Sequence, residues 1–294
     1  ISSHPEITLE ANPDDLTPDY IAMLRTLPFN RLSMGIQTFN ESILKVLQRR
    51  HTARQAIEAF QNCRAAGFQN ISIDLMYGLP GETLSTWQQD LDQALLLHPE
   101  HLSAYHLIYE EDTVLWKLRE QHKVEEADED LSVSLFSTLI DRLTSEGYDH
   151  YEISNFSLPG LYSRHNSSYW TEKKYLGCGP SAHSYNGVSR QWNVASLDTY
   201  IKGISAGTPV FEIEELDLYT RYNDFVITRI RTEWGMPLSK LRDEFGEKLY
   251  DYCLRMAAPH LKQGTLELVN DILKLTRKGI FISDGIMSDM LWTD

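Results

Sequence analysis

Strand-like runs alternate with helix-patterned segments through the first half of the chain, and nothing else in the sequence restricts the fold as strongly. Residues 7–10 read as a strand stopped by Asn12-Pro13, and residues 17–27 as an amphipathic helix with Leu16, Ile21, Leu24 and Leu27 on one face. Arg31–Gln37 reads as a strand, followed by a short helix near 40–48 and a longer one over 52–66 that Gly67 ends. Ile71–Tyr77 is a strong strand closed by Gly78-Leu79-Pro80-Gly81, and helix 83–97 stops before Pro99. A strand at 102–108, a helix at 129–146 ended by Gly147 and a strand near 150–154 complete the series. Four or five such units in a row call for an α/β fold on a parallel sheet, open or closed into a barrel, with helices over it.

In such sheets ligand-binding groups gather at the carboxyl ends of the strands. Glu10 and Gln37 each end a strand, Asp74 sits within one, and Tyr105 and His106 lie midway along another. Four successive strands are therefore expected to send polar groups to one rim and form a ligand site.

The stretch His165-Asn166-Ser167-Ser168-Tyr169-Trp170, followed by Gly177-Cys178-Gly179-Pro180-Ser181-Ala182-His183, fits neither period. It reads as a loop rich in residues that touch ligands. From about 206 the pattern changes to helices at 217–231, 237–246 and 247–262, a hairpin around Asn270-Asp271 and a last short helix, which together make a winged-helix-like α+β module. The expected divisions are 1–160, 161–205 and 206–294.

Winged helices often bind DNA, but 27 basic against 42 acidic residues give a net charge of −15, and Asp243, Glu244, Glu247 and Asp251 interrupt these helices. No nucleic acid or anionic membrane is expected as the main partner, because both need clustered positive charge. The chain has no run of 18 apolar residues and no initiator Met; it reads as a piece whose upstream portion has been removed. Cys63, Cys178 and Cys253 offer neither a disulfide framework nor a close-spaced metal motif, which suits a reducing cytoplasm. Three Asn-x-Ser matches, at Asn70, Asn155 and Asn166, are read as chance.

Three motifs, Arg31-Leu32-Ser33-Met34-Gly35-Ile36-Gln37-Thr38-Phe39, Ile73-Asp74-Leu75-Met76-Tyr77-Gly78-Leu79-Pro80-Gly81 and the His165–Trp170 stretch, resemble the oxygen-independent coproporphyrinogen III oxidase family of radical SAM proteins. The last of them points to the HemW branch of heme chaperones. The resemblance spans nearly the whole chain and implies a partial (β/α) radical SAM barrel, its first strands missing, followed by the winged-helix-like module. It implies S-adenosylmethionine (SAM) and a [4Fe–4S] cluster as cofactors. The family holds the cluster on a C-x3-C-x2-C loop, and none of Cys63, Cys178 or Cys253 has that spacing, so this chain by itself is not expected to carry the cluster or cleave SAM.

By the same resemblance, Glu10 faces the positive amino end of SAM, Gln37 the ribose, and Arg49 clamps the methionine carboxylate as a planar fork. Asp74 is a further contacting carboxylate, and Ile108 or a neighbour offers backbone groups to the adenine. His165 would ligate heme iron while Tyr169 and Trp170 pack on the porphyrin. Cys178, His106 and His183 are weaker candidates for a soft ligand or for substrate contact. The expected activity is that of a heme chaperone serving apo-proteins, with oxidative decarboxylation of coproporphyrinogen III as the alternative. A membrane-protein partner and a homodimer are also expected, the latter because the strand near Ile7 would have an open edge.

Overall fold

The computed structural model describes residues 3–293. The chain divides into two compact units, Ile1–Ser163 and Arg164–Asp294.

The first unit runs β1 (Thr8–Ala11), α1 (Pro18–Leu24), β2 (Arg31–Gln37), α2 (Glu41–Val46), α3 (Ala53–Ala65), β3 (Ile71–Tyr77), α4 (Leu84–Leu96), β4 (His101–His106), α5 (Val114–Glu120), α6 (Glu129–Ser145), β5 (Asp149–Glu152) and β6 (Asn155–Ser157). Its sheet has the order β1-β2-β3-β4-β6-β5, parallel through β4. The end of the series departs from the parallel expectation. Only two residues separate β5 from β6, too few for a crossover, so they form an antiparallel hairpin, and β6 pairs antiparallel with β4.

A period of two sorts each strand into two faces. Leu32, Met34 and Ile36 on β2 lie on one side with Ile71, Ile73 and Leu75 on β3, all fully buried. Against this apolar face α3 packs on β2 and α6 on β3, with α4 against α6. Each buried aliphatic side chain there contributes roughly 1.5–3 kcal/mol. The register puts Glu10, Ser33, Ser72 and His101 in one row on the opposite face, and Gly35, Asp74 and Ser103 in the next. A sheet with polar groups gathered in these rows on one face is suited to a polar ligand.

Capping defines the helix starts. Thr52 and Thr83 each form a capping box, with Gln55 and Thr86.

The second unit holds α7 (Arg164–Trp170), β7 (His183–Tyr185), β8 (Ser189–Asn193), α8 (Leu197–Ser205), β9 (Phe211–Glu215), α9 (Leu218–Ile230), β10 (Met236–Pro237), α10 (Leu238–Gln263), β11 (Leu266–Val269), β12 (Ile272–Leu275), α11 (Arg277–Ile280) and α12 (Ser283–Met290). It contains two three-stranded sheets, β7-β8-β9 and β10-β12-β11. The second is the wing, joined at the Asn270-Asp271 turn, where both residues have positive φ. Gly246 breaks α10 with φ 79, ψ 173, a conformation closed to other residues, so α10 is two helices across a kink, as expected over 237–246 and 247–262. Tyr222, Phe225, Val226, Leu241, Cys253 and Leu273 form its core. Among the described residues no helix is long and apolar enough to cross a membrane.

Candidate functional site

The polar face of the first sheet converges on Gly35. A Cβ there would lie 3.0 Å from Nε2 of Gln37 and 3.5 Å from Nη2 of Arg49, so the missing side chain makes room for an amide and a guanidinium. Asp74 is the register partner of Gly35, and the Ser33 hydroxyl donates to its carboxylate oxygens at 3.2 and 3.3 Å. Glu10 is exposed and pairs with Ser33 one row earlier. Glu10, Gln37, Arg49 and Asp74, 64 positions apart at the extremes, thus share one neighbourhood.

Gln37 reaches it by leaving the regular strand. The β2–β3 register shifts between Gly35 and Gln37, and Gln37 has φ 69, an unfavourable conformation for a residue with a Cβ. The next residues hold it there. Thr38 Oγ1 donates to Asp90 of α4 at 2.5 Å, and the Phe39 backbone N–H donates to the same carboxylate at 2.8 Å. Burial pushes the Asp90 carboxyl up to about 6 despite these two donors. Glu82 plays a similar part after β3, accepting from the backbone N–H groups of Gly78 at 2.7 Å and Leu79 at 3.3 Å, with its carboxyl pushed by burial up to about 7.

Tyr105 and His106 close β4 rather than lying midway along it, and as neighbours they point to opposite faces. Tyr105 joins the polar face. His106 turns to the helix side, where Nε2 meets Ser132 Oγ at 3.0 Å and the ring sits edge-on to Tyr77 at 5.1 Å. Ile108 lies beyond the strand end, 76% exposed. The motifs did not single out Ser33, Ser103 or Arg31 as site residues. Their only signal in the sequence is parity with Asp74 along the strands.

Burial pushes the Asp74 carboxyl up to about 6, against the pull of the Ser103 and Ser33 hydroxyls and the Arg31 guanidinium, with Glu10 adding to the rise. The folded state therefore holds this proton more tightly than the unfolded chain, whose value is near 3.8. The stability Asp74 contributes is present below the unfolded value and is lost as pH rises through about 6. Asp74→Asn should raise stability by about 3 kcal/mol above that range and change it little near pH 4. Thermal melts across pH check this, and a variant whose melting curve parallels the wild type at every pH would refute it.

In the second unit, the stretch expected as a loop is the helix α7. His165 and Tyr169 are four residues apart on one face, both exposed, with Tyr169 Oη 3.0 Å from His165 Nε2 and the rings perpendicular at 5.1 Å. Trp170 points elsewhere. The Arg231 guanidinium lies over its ring at 4.2 Å, and its Nε1 is buried without a hydrogen-bond partner. His183 stacks on Trp192 at 5.9 Å across β7–β8, beside a groove of about 480 Å³.

Fold and site together define an α/β protein with a polar-faced, partly closed barrel and a winged-helix-like module. Residues 1–94 match the Radical SAM superfamily and residues 216–282 the HemN C-terminal domain. The chain is 30% identical to the heme chaperone HemW of Bacillus subtilis, over 97% of this chain and 76% of that protein. It is 32% identical to the heme chaperone HemW of Lactococcus lactis, over 98% and 76%. The structure of Escherichia coli coproporphyrinogen III oxidase, HemN, superposes with a TM-score of 0.80 at 22% identity, covering 97% of this chain and 69% of that one. The chain belongs to the HemW-like radical SAM family.

That family implies SAM and a [4Fe–4S] cluster. The donor set around Gly35 fits SAM: carboxylates for its cationic groups, an amide and one planar guanidinium. The cysteines do not fit the cluster. Burial pushes the Cys63 and Cys253 thiols up to about 11, and Cys178, the third, is exposed. Lying 115 and 75 positions apart, the three lack the close spacing of a cluster loop that brings three thiolates to one site. Among the described residues no three His, Cys, Asp or Glu side chains group as a metal site.

Proposed function

We propose that this chain is a heme chaperone that carries heme on the exposed face of α7. His165 and Tyr169 contact the heme, and Trp170 fixes the helix beneath it. SAM binds separately at Glu10, Gln37, Arg49 and Asp74, with backbone groups near Ile108 toward the adenine. Bound SAM supplies a sulfonium cation whose charge Glu10 and Asp74 balance. The recipients are apo-proteins, membrane proteins among them, in a cytoplasmic setting.

The observation that carries this reading is the exposed His165–Tyr169 pair on a helix of its own. Exposure is what a carrier needs, because cargo on an open face can pass to a recipient. The HemW relatives support it by their names.

Titration of ferric heme, followed by the Soret band, tests the site. The double variant His165→Ala/Tyr169→Ala should bind at least about tenfold more weakly, and the heme-loaded wild type should pass its heme to an added apo-globin. Equal affinity in both proteins would reject α7 as the carrier surface.

A further inference from the structure

Either of two side chains on α7 could reach the iron. The resemblance favours His165, but the geometry separates the pair. The outer ring nitrogen of His165, Nε2, is taken up by Tyr169 Oη at 3.0 Å. An iron bond through Nε2 would have to break that contact.

The phenol oxygen stands differently. When Tyr169 donates to Nε2, its proton is directed at the imidazole and its lone pairs remain available to a metal. Its ring is held on two sides, edge-on to His165 at 5.1 Å and edge-on to Tyr175 at 4.9 Å. Tyr175 is itself fixed, since its backbone N–H and C=O both pair with Tyr185 at 3.0 Å. Tyr169 nonetheless keeps 38% of its surface open. An oriented, exposed phenol with a base already in place is arranged for metal binding.

Resting on the reading that α7 carries heme, we propose that Tyr169 is the iron ligand, bound as the phenolate, and that His165 is the positioning residue that takes its proton. On binding, the Tyr169 O–H bond breaks, an N–H bond forms at His165 Nε2, and phenolate oxygen donates a pair to the iron. No electron moves, and the iron stays ferric. The charges suit this. Ferric iron in a doubly deprotonated porphyrin core carries one net positive charge, which a phenolate cancels and a neutral imidazole does not. The imidazolium stays beside the phenolate oxygen and forms a charge-assisted hydrogen bond to it. Release runs in reverse: the proton returns to oxygen, the iron–oxygen bond opens, and a recipient with its own ligand takes the heme. The ligand class is ferric heme, because ferrous iron carries no net charge in the same core and gains far less from a phenolate.

The test compares wild type, Tyr169→Phe and His165→Ala loaded with ferric heme. Resonance Raman and electron paramagnetic resonance report the axial ligand directly. Wild type should show phenolate ring modes, a phenolate-to-iron charge-transfer band and a high-spin signal. Tyr169→Phe, which keeps the ring and its packing, should lose all three. His165→Ala should keep the phenolate modes with affinity lowered about tenfold. A wild-type imidazole-ligated spectrum that survives Tyr169→Phe and disappears in His165→Ala would overturn the proposal while leaving heme on α7. No heme uptake by wild type, or wild-type spectra in both variants, would reject the α7 reading itself and this proposal with it.

Discussion

Trp87→Ala should destabilise the first unit by about 4 kcal/mol, a loss at the upper end of what one core truncation causes. Trp87 of α4 is fully buried. Its indole N–H donates to the Leu135 carbonyl of α6 at 3.0 Å, and its ring meets Tyr77 of β3 at 5.6 Å. Tyr77 stacks in turn on Phe136 of α6 at 5.9 Å. One side chain therefore joins two helices to the sheet. Truncation leaves a cavity and leaves a buried carbonyl without that donor. In a unit of this size, about 4 kcal/mol lowers the melting temperature by roughly 10 °C. Trp87→Phe should recover about half of the loss, since the ring returns without the donor. The effect should reach the site as well. Asp90, one turn along α4, holds the chain just after Gln37. A loosened α4 should therefore weaken SAM binding without any contact to SAM being removed. A melting point within about 2 °C of wild type would show that α4 and α6 pack independently of this residue.

The fold was legible because its cause is periodic. Leu32, Met34 and Ile36 alternate with Arg31, Ser33 and Gly35, and this alternation by itself marks a strand with one buried and one polar face. The same rule, applied strictly, excludes His106 from the face that Tyr105 joins. Tyr105 and His106, adjacent in β4, therefore cannot share one rim. The α7 helix was not legible, since Asn166, Ser167 and Ser168 are weak helix formers and a seven-residue helix gains little from propensity. The four-residue spacing of His165 and Tyr169 was the available signal. The convergence of Gln37 and Arg49 over Gly35 left no trace in the pattern, because it depends on a register shift and a positive φ that only the folded sheet reveals. Nor does any sequence rule place Arg231 over Trp170. Local spacing revealed which residues could do chemistry, whereas long-range packing decides which of them meet.

Arg49→Ala should weaken SAM binding about 100-fold, close to 3 kcal/mol. The guanidinium is tied at one corner. Nη2 donates to Asn12 Oδ1 and to the Gly35 carbonyl oxygen, each at 2.8 Å, just past β1 and within β2. Among the described residues, Nε and Nη1 make no hydrogen bond, so single N–H donors on either side of the tied Nη2 are left for a ligand carboxylate. Burial lowers the Arg49 pKa, but from so high a starting value that the group stays charged at neutral pH. A cation fixed at Nη2 and open at Nε and Nη1 holds a ligand carboxylate at little further cost in side-chain freedom. Arg49→Lys separates charge from shape. It keeps the cation and loses the planar group that Asn12 and the Gly35 carbonyl hold in place, so it should weaken binding about tenfold, between wild type and Arg49→Ala. Because Arg49 also braces the Gly35 carbonyl beside the strained Gln37, the Ala variant should lose some affinity through Gln37 as well. A Gln37→Ala/Arg49→Ala double variant should therefore bind more tightly than the two single losses added together predict. Calorimetric titration of SAM into wild type and these variants, with Gln37→Ala alone among them, gives the comparison. Lysine serving as well as arginine would show that the anchored planar group adds nothing beyond charge, and an Arg49→Ala affinity within about twofold of wild type would remove Arg49 from the site.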